Sequence, residues 1–268
     1  MGPIYLIKYP PTPYMEGACL PLEKDAIPPI PFRAIQGRHL VVEEKMDGAN
    51  TGLFFTANGE SFLQTGDRYI GHGNRDSHYT LFRHWVRVHQ RALFRVLSHR
   101  YILYGEWLYA KHTLFYDALP HYFLEFDVWD KEQQCFLDTV GRRQLLHTLP
   151  LCSVPVLFEG VLHRQEDLLS LLTVSRYITP YYLQNFQRGY PNTVPFPSPT
   201  GLSDQMEGLY IKVEERGRVV ARMKWVRPSF LQVGHAAGSR GDGRFIVSNR
   251  LCVPPSSLLV SGKPSANK

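Results

Sequence analysis

Residues 40–55 read LVVEEKMDGANTGLFF, and the rest of the chain is organised around this stretch. Two apolar runs, each typical of a buried β-strand, enclose a polar cluster of one lysine, three acids and a glycine. A lysine is nucleophilic only without its proton, and desolvation or nearby positive charge lowers its pKa. A glycine lets a phosphate approach the backbone closely. By itself the cluster favours an exposed Asp-Gly turn over an active site, so other residues must decide.

Composition indicates a globular protein with a mild preference for polyanions. The 268 residues suffice for one large domain or two small ones, and 30 Lys and Arg against 24 Asp and Glu give a formal charge of +6. The N-terminus lacks a signal-peptide pattern and no segment has the apolar length of a membrane span, which predicts a cytoplasmic protein without membrane contact. Four scattered cysteines lack zinc-ligand spacing and are expected to be reduced thiols: Cys19, Cys135, Cys152 and Cys252.

Hydrophobic periodicity predicts a mixture of antiparallel strands and helices. Residues 1–36 hold eight of the twenty prolines and are expected to form an extended scaffold that wraps the domain. Strands at 39–44, 52–56 and 61–64, with an Asn-Gly turn before the third, predict an antiparallel meander that carries Lys45. The other expected elements are strands at 101–107, 122–129, 156–158, 206–213 and 219–226, helices at 79–99, 138–149 and 165–173, and an irregular connection at 177–203.

The predicted helix at 79–99 carries basic residues on one face. Its arginines recur every four residues and therefore fall on one stripe: Arg83, Arg87, Arg91 and Arg95. Such a stripe is either a solvated face or a contact for nucleic acid. We favour the solvated face, because charge on an amphipathic helix needs no partner.

Several polar residues outside the opening stretch also lie at strands or strand ends, in otherwise apolar surroundings. Arg222 and Lys224 are two apart on one strand, so their side chains point to the same face. Nucleotidyl transfer requires an amine to attack the α-phosphate, carboxylates to hold a divalent metal, and cations to neutralise the transition state. The residues that match these needs are Lys45, Asp47, Glu106, Glu207, Arg222 and Lys224.

The order of these segments resembles the covalent nucleotidyltransferase superfamily of ATP-dependent ligases and capping enzymes, and most closely its RNA ligase 2-like family. Lys45-Met46-Asp47-Gly48 matches the lysine-x-Asp-Gly nucleophile motif of that family. The similarity covers about residues 40–230, and five motifs in the right order are far more specific than one. The other four matching segments are 103–107 (LYGEW), 123–128 (FLEFDV), 207–212 (EGLYIK) and 222–224 (RMK).

The resemblance implies a role for each motif residue. Lys45 would become covalently joined to AMP, with Arg222 and Lys224 holding the phosphate. Asp47 and Glu207 would organise a divalent metal, Mg²⁺ or Mn²⁺. The residues implied in binding the nucleotide are Glu44, Asn50, Arg68, Glu106, Phe126 and Lys212.

Five of these nucleotide contacts carry more detailed expectations. Glu106 would take the ribose hydroxyls, and Phe126 would stack on adenine, although simple core packing explains Phe126 equally well. Asn50 would contact the nucleotide or the reacting phosphate, with the cap of a turn as its alternative. Glu44 would contact adenine through its backbone. The family places an arginine on the strand after the nucleophile, and Arg68 is the candidate for that residue.

The sequence therefore predicts an α+β nucleotidyltransferase domain of antiparallel sheets with flanking helices over residues 1–233, followed by a short, partly disordered tail at 234–268. The resemblance implies an ATP-dependent RNA ligase that joins 5′-phosphate and 3′-hydroxyl RNA ends through lysyl-AMP, in RNA repair beside end-healing enzymes. Alternatives are a nick-sealing DNA ligase, a capping guanylyltransferase, or a nucleic-acid-binding module with a vestigial nucleotide site. The tail is too short for the domain that larger ligases append, which leaves the choice between RNA and DNA open.

Overall fold

The computed structural model describes residues 6–18, 27–189, 202–230 and 246–260. The strands are β1 (His39–Lys45), β2 (Ala49–Phe55), β3 (Ser61–Thr65), β4 (Arg68–Tyr69), β5 (Tyr101–Trp107), β6 (Phe123–Asp130), β7 (Cys135–Leu137), β8 (Cys152–Ser153), β9 (Val156–Val161), β10 (Gly208–Glu215) and β11 (Arg218–Val226). The helices are α1 (Thr80–Leu97), α2 (Thr139–Leu146), α3 (Gln165–Leu169) and α4 (Tyr182–Gly189), and 3₁₀ helices cover Phe32–Ala34, Asn74–Tyr79 and Pro255–Leu259.

The strands form one sheet with two halves, in the order β4-β3-β2-β5-β6-β7-β11-β10-β1-β9, and β8 pairs with β6. All strand pairs along this path are antiparallel, and the short β6–β8 pair is parallel. The halves meet at β7, which pairs with β11 only at Arg218 and Val219. The predicted α+β class with antiparallel sheets is confirmed.

The predicted meander through Lys45 is wrong, because β1 pairs with β9 and β10 rather than with β2. The turn between β1 and β2 carries the chain from one half of the sheet to the other. At Gly48 an added Cβ would lie 2.7 Å from both the Leu108 side chain and the Trp107 carbonyl, so only glycine allows this crossing. The opening stretch therefore joins the two halves of the fold.

Each half has its own hydrophobic core. In the first, α1 packs on β2, β3 and β5 with fully buried aromatic side chains such as Phe82, Trp85 and Phe123. In the second, Leu40 and Ile211 are among the apolar side chains buried in β1, β10 and β11. Each buried aromatic side chain removes 150–250 Å² from water, roughly 4–6 kcal/mol of transfer free energy. Burial thus fixes which face of each strand points inward.

Most predicted helices appear close to their expected bounds, with one exception. The segment 177–203, expected to be irregular, contains α4, whose Phe186 is buried and packs edge-on against Phe115 at 5.0 Å. Eight residues with a single buried anchor give too short a pattern for a helix to be recognised. No helix among the described residues is long and apolar enough to cross a membrane.

Part of the predicted tail packs on the domain. Asn249 is buried, accepts a hydrogen bond from the backbone N–H of Tyr116 and donates to the carbonyl of Leu108. Leu258 is buried beside α1, and its carbonyl lies 2.9 Å from Nε2 of His89. The predicted boundary at 233 and residues 261–268 lie outside the described residues.

Candidate active site

A cavity of about 340 Å³ opens where β1, β2, β5, β6 and β10 come together. Six residues predicted from the sequence line it, namely Glu44, Lys45, Asn50, Glu106, Phe126 and Lys224. They come from five strands of both halves, so only the folded sheet brings them to one place. The cavity is also lined by Lys8, Tyr9, Pro10, Pro11 and Thr12 of the proline-rich segment, and by Tyr210.

Lys45, which lines this cavity, forms an ion pair with Glu207. Lys45 ends β1 opposite Gly208, the first residue of β10, and its Nζ lies 2.5 Å from Oε1 of Glu207. The Lys45 side chain is 25 % exposed and that of Glu207 is 8 % exposed. An added Cβ at Gly208 would lie 2.0 Å from the Trp225 carbonyl, so glycine is required for β10 to pack this closely on β11. The close packing of β10 on β11 therefore places Glu207, the residue before β10, beside Lys45.

The charges around Lys45 are mostly acidic. Burial alone would lower the pKa of Lys45, but the carboxylates of Glu207 and Glu106 outweigh it and raise this pKa. Burial raises the pKa of Glu106 to about 8 and that of Glu207 to about 7, although the Lys45 ammonium opposes both shifts. We expected nearby cations to lower the pKa of the lysine. Without nucleotide, the carboxylates instead hold Lys45 as an ammonium ion.

Asp47 is held in place by a backbone clamp. Its Oδ2 accepts hydrogen bonds from the N–H groups of Thr113 at 2.7 Å and Leu114 at 2.6 Å, and its own N–H donates to the hydroxyl of Tyr116 at 2.8 Å. The N–H of Gly48 also bonds to Glu106. The loop after β5 thereby fixes the nucleophile motif, and its role could not be read from the sequence.

The acidic cluster suits a divalent metal that also binds phosphate. Asp47, Glu106 and Glu207 all act electrostatically on Lys45, so three carboxyl groups lie around the proposed nucleophile. Among the described residues, no three His, Cys, Asp or Glu side chains form a complete metal site. Mg²⁺ characteristically takes one or two carboxylates and completes its shell with water and substrate phosphates. The donor set therefore fits a metal that arrives with a nucleotide.

Aromatic rings form one wall of the cavity. Phe126 is 8 % exposed, and its ring centroid lies 6.1 Å from that of Tyr210, with the rings tilted by 47°. Tyr9 packs edge-on against Phe126 at 5.4 Å, and its hydroxyl bonds to Asp127 and lies 2.5 Å from that of Tyr210. Phe126 thus combines core packing with a face on the cavity.

The proline-rich segment is part of the site rather than remote scaffold. The carbonyl of Ile7 accepts hydrogen bonds from Gln64 of β3 and Tyr104 of β5. Further along, the backbone at Pro13 and Met15 bonds to Lys224 on β11. The segment therefore bridges both halves of the sheet beside the cavity. Its composition predicted an extended conformation, but only its contacts place it here.

Lys212 and Arg222 lie behind the cavity in a buried ionic network. Nζ of Lys212 lies 2.9 Å from both Glu43 and Asp127 and bonds to the carbonyl of Phe126. The guanidinium of Arg222 lies over the ring of Tyr9 at 4.7 Å and 4.0 Å from Asp127. Neither side chain lines the cavity. Lys212 nevertheless contacts Phe126 and Arg222 contacts Tyr9, and these two aromatic residues line the cavity.

Sequence reasoning missed Arg142, the centre of this network. Arg142 lies on α2 with its side chain fully buried, and it donates to Glu43 at 2.7 Å and to the carbonyl of Phe126. It also lies 3.4 Å from Glu125. Arginine on a short helix usually faces solvent, so the sequence offered no signal for this burial.

Two predicted nucleotide contacts have other partners in the structure. Arg68 makes a bidentate ion pair with Asp76, at 2.7 and 3.0 Å, and is not among the residues that line the cavity. The Glu44 carboxylate accepts from Ser175 at 2.5 Å and from the N–H of Arg176 at 3.1 Å. The N–H of Glu44 donates to the carbonyl of Pro155.

The divided antiparallel sheet and the lysine–carboxylate cavity define a nucleotidyltransferase-type domain. A family model for RNA ligase matches residues 38–226. The chain belongs to the RNA ligase family. No curated protein matches the chain.

Solved structures of an RNA ligase from Naegleria gruberi share the fold. The structure of a variant with ATP and Mn has a TM-score of 0.52 and 15% sequence identity, and the match covers 76% of this chain and 53% of that one. The structure with PPi has a TM-score of 0.51 and 16% identity, with the same coverage of 76% and 53%. The chain thus spans about half the length of these ligases.

Proposed function

We propose that this protein is an ATP-dependent RNA ligase that joins 5′-phosphate and 3′-hydroxyl ends through a covalent lysyl-AMP intermediate. The observation that carries the proposal is the pair of Lys45 and Glu207 at an aromatic-walled cavity, in a chain of the RNA ligase family. The similar ligase from Naegleria gruberi was solved with ATP and Mn, which supports ATP and a divalent metal as cofactors here.

In the first step, Lys45 attacks the α-phosphorus of ATP. Its Nζ loses a proton and forms the N–P bond, while the bond to the β-phosphate oxygen breaks and pyrophosphate leaves. Glu207 lies 2.5 Å from Nζ and orients the amine toward the nucleotide, and the proton leaves to solvent. Lys224 lines the same cavity and supplies positive charge for the phosphates.

Asp47 and Glu207 would hold Mg²⁺ or Mn²⁺ together with the nucleotide phosphates. The ion supplies positive charge that offsets the charge on the phosphate oxygens. Asp47 keeps Oδ1 for this purpose, because both backbone donors of the clamp bond to Oδ2. Neutralising Glu207 also removes the strongest electrostatic cause of the raised Lys45 pKa, so the lysine loses its proton more easily once the site is filled.

In the second step, an oxygen of the RNA 5′-phosphate attacks the same phosphorus, the N–P bond breaks, and Lys45 regains a proton. The 3′-hydroxyl of the other end then loses its proton and attacks the 5′-phosphate. A phosphodiester bond forms and AMP leaves. The chain's own contribution to both steps is to position the reacting groups and neutralise charge.

Other residues would bind the nucleotide from the cavity walls. Phe126 offers a ring face to adenine, Glu106 and Asn50 reach the ribose and phosphate, and the Glu44 carbonyl reaches the base edge. Arg68 would join them by exchanging its ion pair with Asp76. Lys212 and Arg222 contribute by holding Phe126, Tyr9 and Asp127 in position.

Incubation with ATP labelled at the α-phosphate tests the nucleophile. We expect a labelled protein band in the wild type and in Lys131→Ala, a lysine outside the cavity, and none in Lys45→Ala. A labelled band in Lys45→Ala would contradict the assignment.

A panel of substrates separates the alternatives within the superfamily. Transfer of label from GTP instead of ATP would indicate a capping-type guanylyltransferase, and sealing of nicked DNA but not RNA would indicate a DNA ligase. We further propose a cytoplasmic role in RNA repair, beside enzymes that heal ends to 5′-phosphate and 3′-hydroxyl, and a nucleotidyltransferase domain that extends to residue 233. A vestigial site would bind ATP without forming the labelled band.

A further inference from the structure

A second cavity is lined by residues close in the chain to those around the active site. It has a volume of about 390 Å³ and lies between the start of α1, the preceding 3₁₀ helix and the end of β5. Its walls combine imidazole, phenol and hydroxyl groups, from Ser77, His78, Thr80, Leu81, His84 and Tyr109. Flat rings that stack and hydroxyls that hydrogen-bond are the groups that bind single-stranded nucleotides.

Two short chains of contacts connect this cavity to the catalytic lysine. Tyr109 begins the loop whose Thr113 N–H holds Asp47. On the other side, the hydroxyl of Tyr79 donates to Thr65, which in turn donates to the carbonyl of Asn50 on the wall of the first cavity. Tyr79, which lies between the lining residues His78 and Thr80, also interacts electrostatically with Glu106 on the wall of the first cavity. The two cavities are therefore neighbours, and one RNA strand can occupy both.

The surroundings of the second cavity carry positive charge that no acid neutralises among the contacts described. Arg83, between the lining residues Leu81 and His84, donates to two carbonyls and the hydroxyl of Thr80, and these contacts include no carboxylate. The nearby acid Asp76 is buried and bound by Arg68. The rim can therefore attract a polyanion.

The arginine stripe of α1 continues from this rim. His84 lines the cavity, and Arg87 and Arg91 follow it at three and seven residues, on the same face of the helix and exposed to solvent. Steps of one helical turn, about 5.4 Å, are close to the spacing of phosphates along a nucleic-acid strand. The stripe, which the sequence alone favoured as a solvated face, thus begins at a cavity suited to nucleotides.

We propose that the second cavity and the first turns of α1 bind the RNA strand that carries the 5′-phosphate, at the nucleotides next to that phosphate. His78, His84 and Tyr109 hold a base and its sugar, and Arg83 and Arg87 contact phosphates. This inference rests on the proposed RNA ligation, and it names the substrate strand that occupies this surface.

A double variant tests the surface, measured on the full-length protein with a 5′-phosphorylated RNA labelled at its 3′ end. His84→Ala combined with Arg87→Glu should weaken RNA binding at least tenfold and reduce the salt dependence of the binding constant. The matched control combines His163→Ala with Arg33→Glu, two exposed residues beside the second core. The control should bind RNA as the wild type does. Equal RNA affinity in the two double variants would overturn the proposal.

Two further measurements separate this proposal from the proposed function. Formation of lysyl-AMP from ATP needs no RNA, so the surface variant should form it within twofold of the wild-type rate. If the wild type forms no lysyl-AMP, the ligase assignment fails while the RNA-binding comparison still stands. A photoreactive 4-thiouridine at the second or third nucleotide from the 5′ end should crosslink to residues 77–84 or to Tyr109, and crosslinks confined to other segments would refute this path for the strand.

Discussion

The buried arginine behind the cavity gives a prediction with a matched control on the same helix. Replacing Arg142 with methionine keeps the volume and removes the charge. Arg142 and Glu43 are fully buried, and Glu125 is 2 % exposed, so no water can replace the lost partner. Removing one member of a buried ion pair typically costs 3–5 kcal/mol, because a buried charge is left uncompensated. We expect Arg142→Met to lower the free energy of unfolding by about 3–5 kcal/mol.

The structure also predicts which acid carries most of this cost. Glu43 keeps Lys212 at 2.9 Å after the substitution. Oε2 of Glu125 has no hydrogen-bond partner, and Arg142 is the cation nearest to it. Adding Glu125→Gln to Arg142→Met should therefore restore more of the stability than adding Glu43→Gln does.

Urea unfolding followed by circular dichroism measures these differences. Neighbouring Arg143 is the control, because it is 48 % exposed and lies 3.7 Å from the exposed Glu159. Arg143→Met should change the free energy of unfolding by about 0.5 kcal/mol or less. A loss of under about 1 kcal/mol in Arg142→Met, or equal losses in the two variants, would refute the reasoning. Because Arg142 also bonds to the carbonyl of Phe126, the KM for ATP should rise in the same variant.

Three further predictions concern the cavity. Burial raises the pKa of Glu106 from its usual value of 4.5 to about 8, so ionisation of this group lowers stability as pH rises through that window. The stability of the wild type relative to Glu106→Gln should fall by at most about 1.4 kcal/mol per pH unit between these values, and a rise in thermal or urea titrations would contradict the sign. Gly48→Ala should slow lysyl-AMP formation on the order of 100-fold, because the added Cβ displaces the nucleophile motif. Gly73→Ala is the control, because a Cβ there meets nothing within 4 Å, and it should form lysyl-AMP at the wild-type rate. Tyr9→Phe should lower the free energy of unfolding by about 1–3 kcal/mol, because Asp127 loses a hydrogen bond. Tyr101→Phe is the control, and an equal effect in the two variants would show that the bond from Tyr9 to Asp127 is unimportant.

The local pattern of the sequence predicted most elements and the candidate nucleophile. An apolar run predicted β5 at its observed bounds, and helical periodicity predicted α1 to within two residues at either end. These patterns depend on residues a few positions apart, so they can be recognised without knowledge of the fold. The resemblance to the nucleotidyltransferase superfamily, rather than periodicity, supplied the motifs and their roles.

Non-local contacts could not be predicted in this way. The pairing of β1 with β10 joins residues about 170 positions apart, and no local signal favours it over a meander with β2. Arg142 and Tyr9 looked like surface residues of a helix and an extended segment, and each proved to bind groups more than 90 residues away.

The sequence by itself determined the class of fold, and with the family resemblance it predicted which residues attack, bind metal and neutralise phosphate, because fold class and motifs depend on side-chain chemistry and local spacing. Only the tertiary structure decided the state of Lys45, because a pKa depends on distances in space. Glu207, 162 positions further along the chain, lies 2.5 Å from the lysine and keeps it protonated. The tertiary structure likewise placed the proline-rich segment against the cavity. This segment bonds to the backbone of β11 in one half of the sheet and, through Tyr9, to Asp127 in the other half. Both partners are in place only when the two halves have folded.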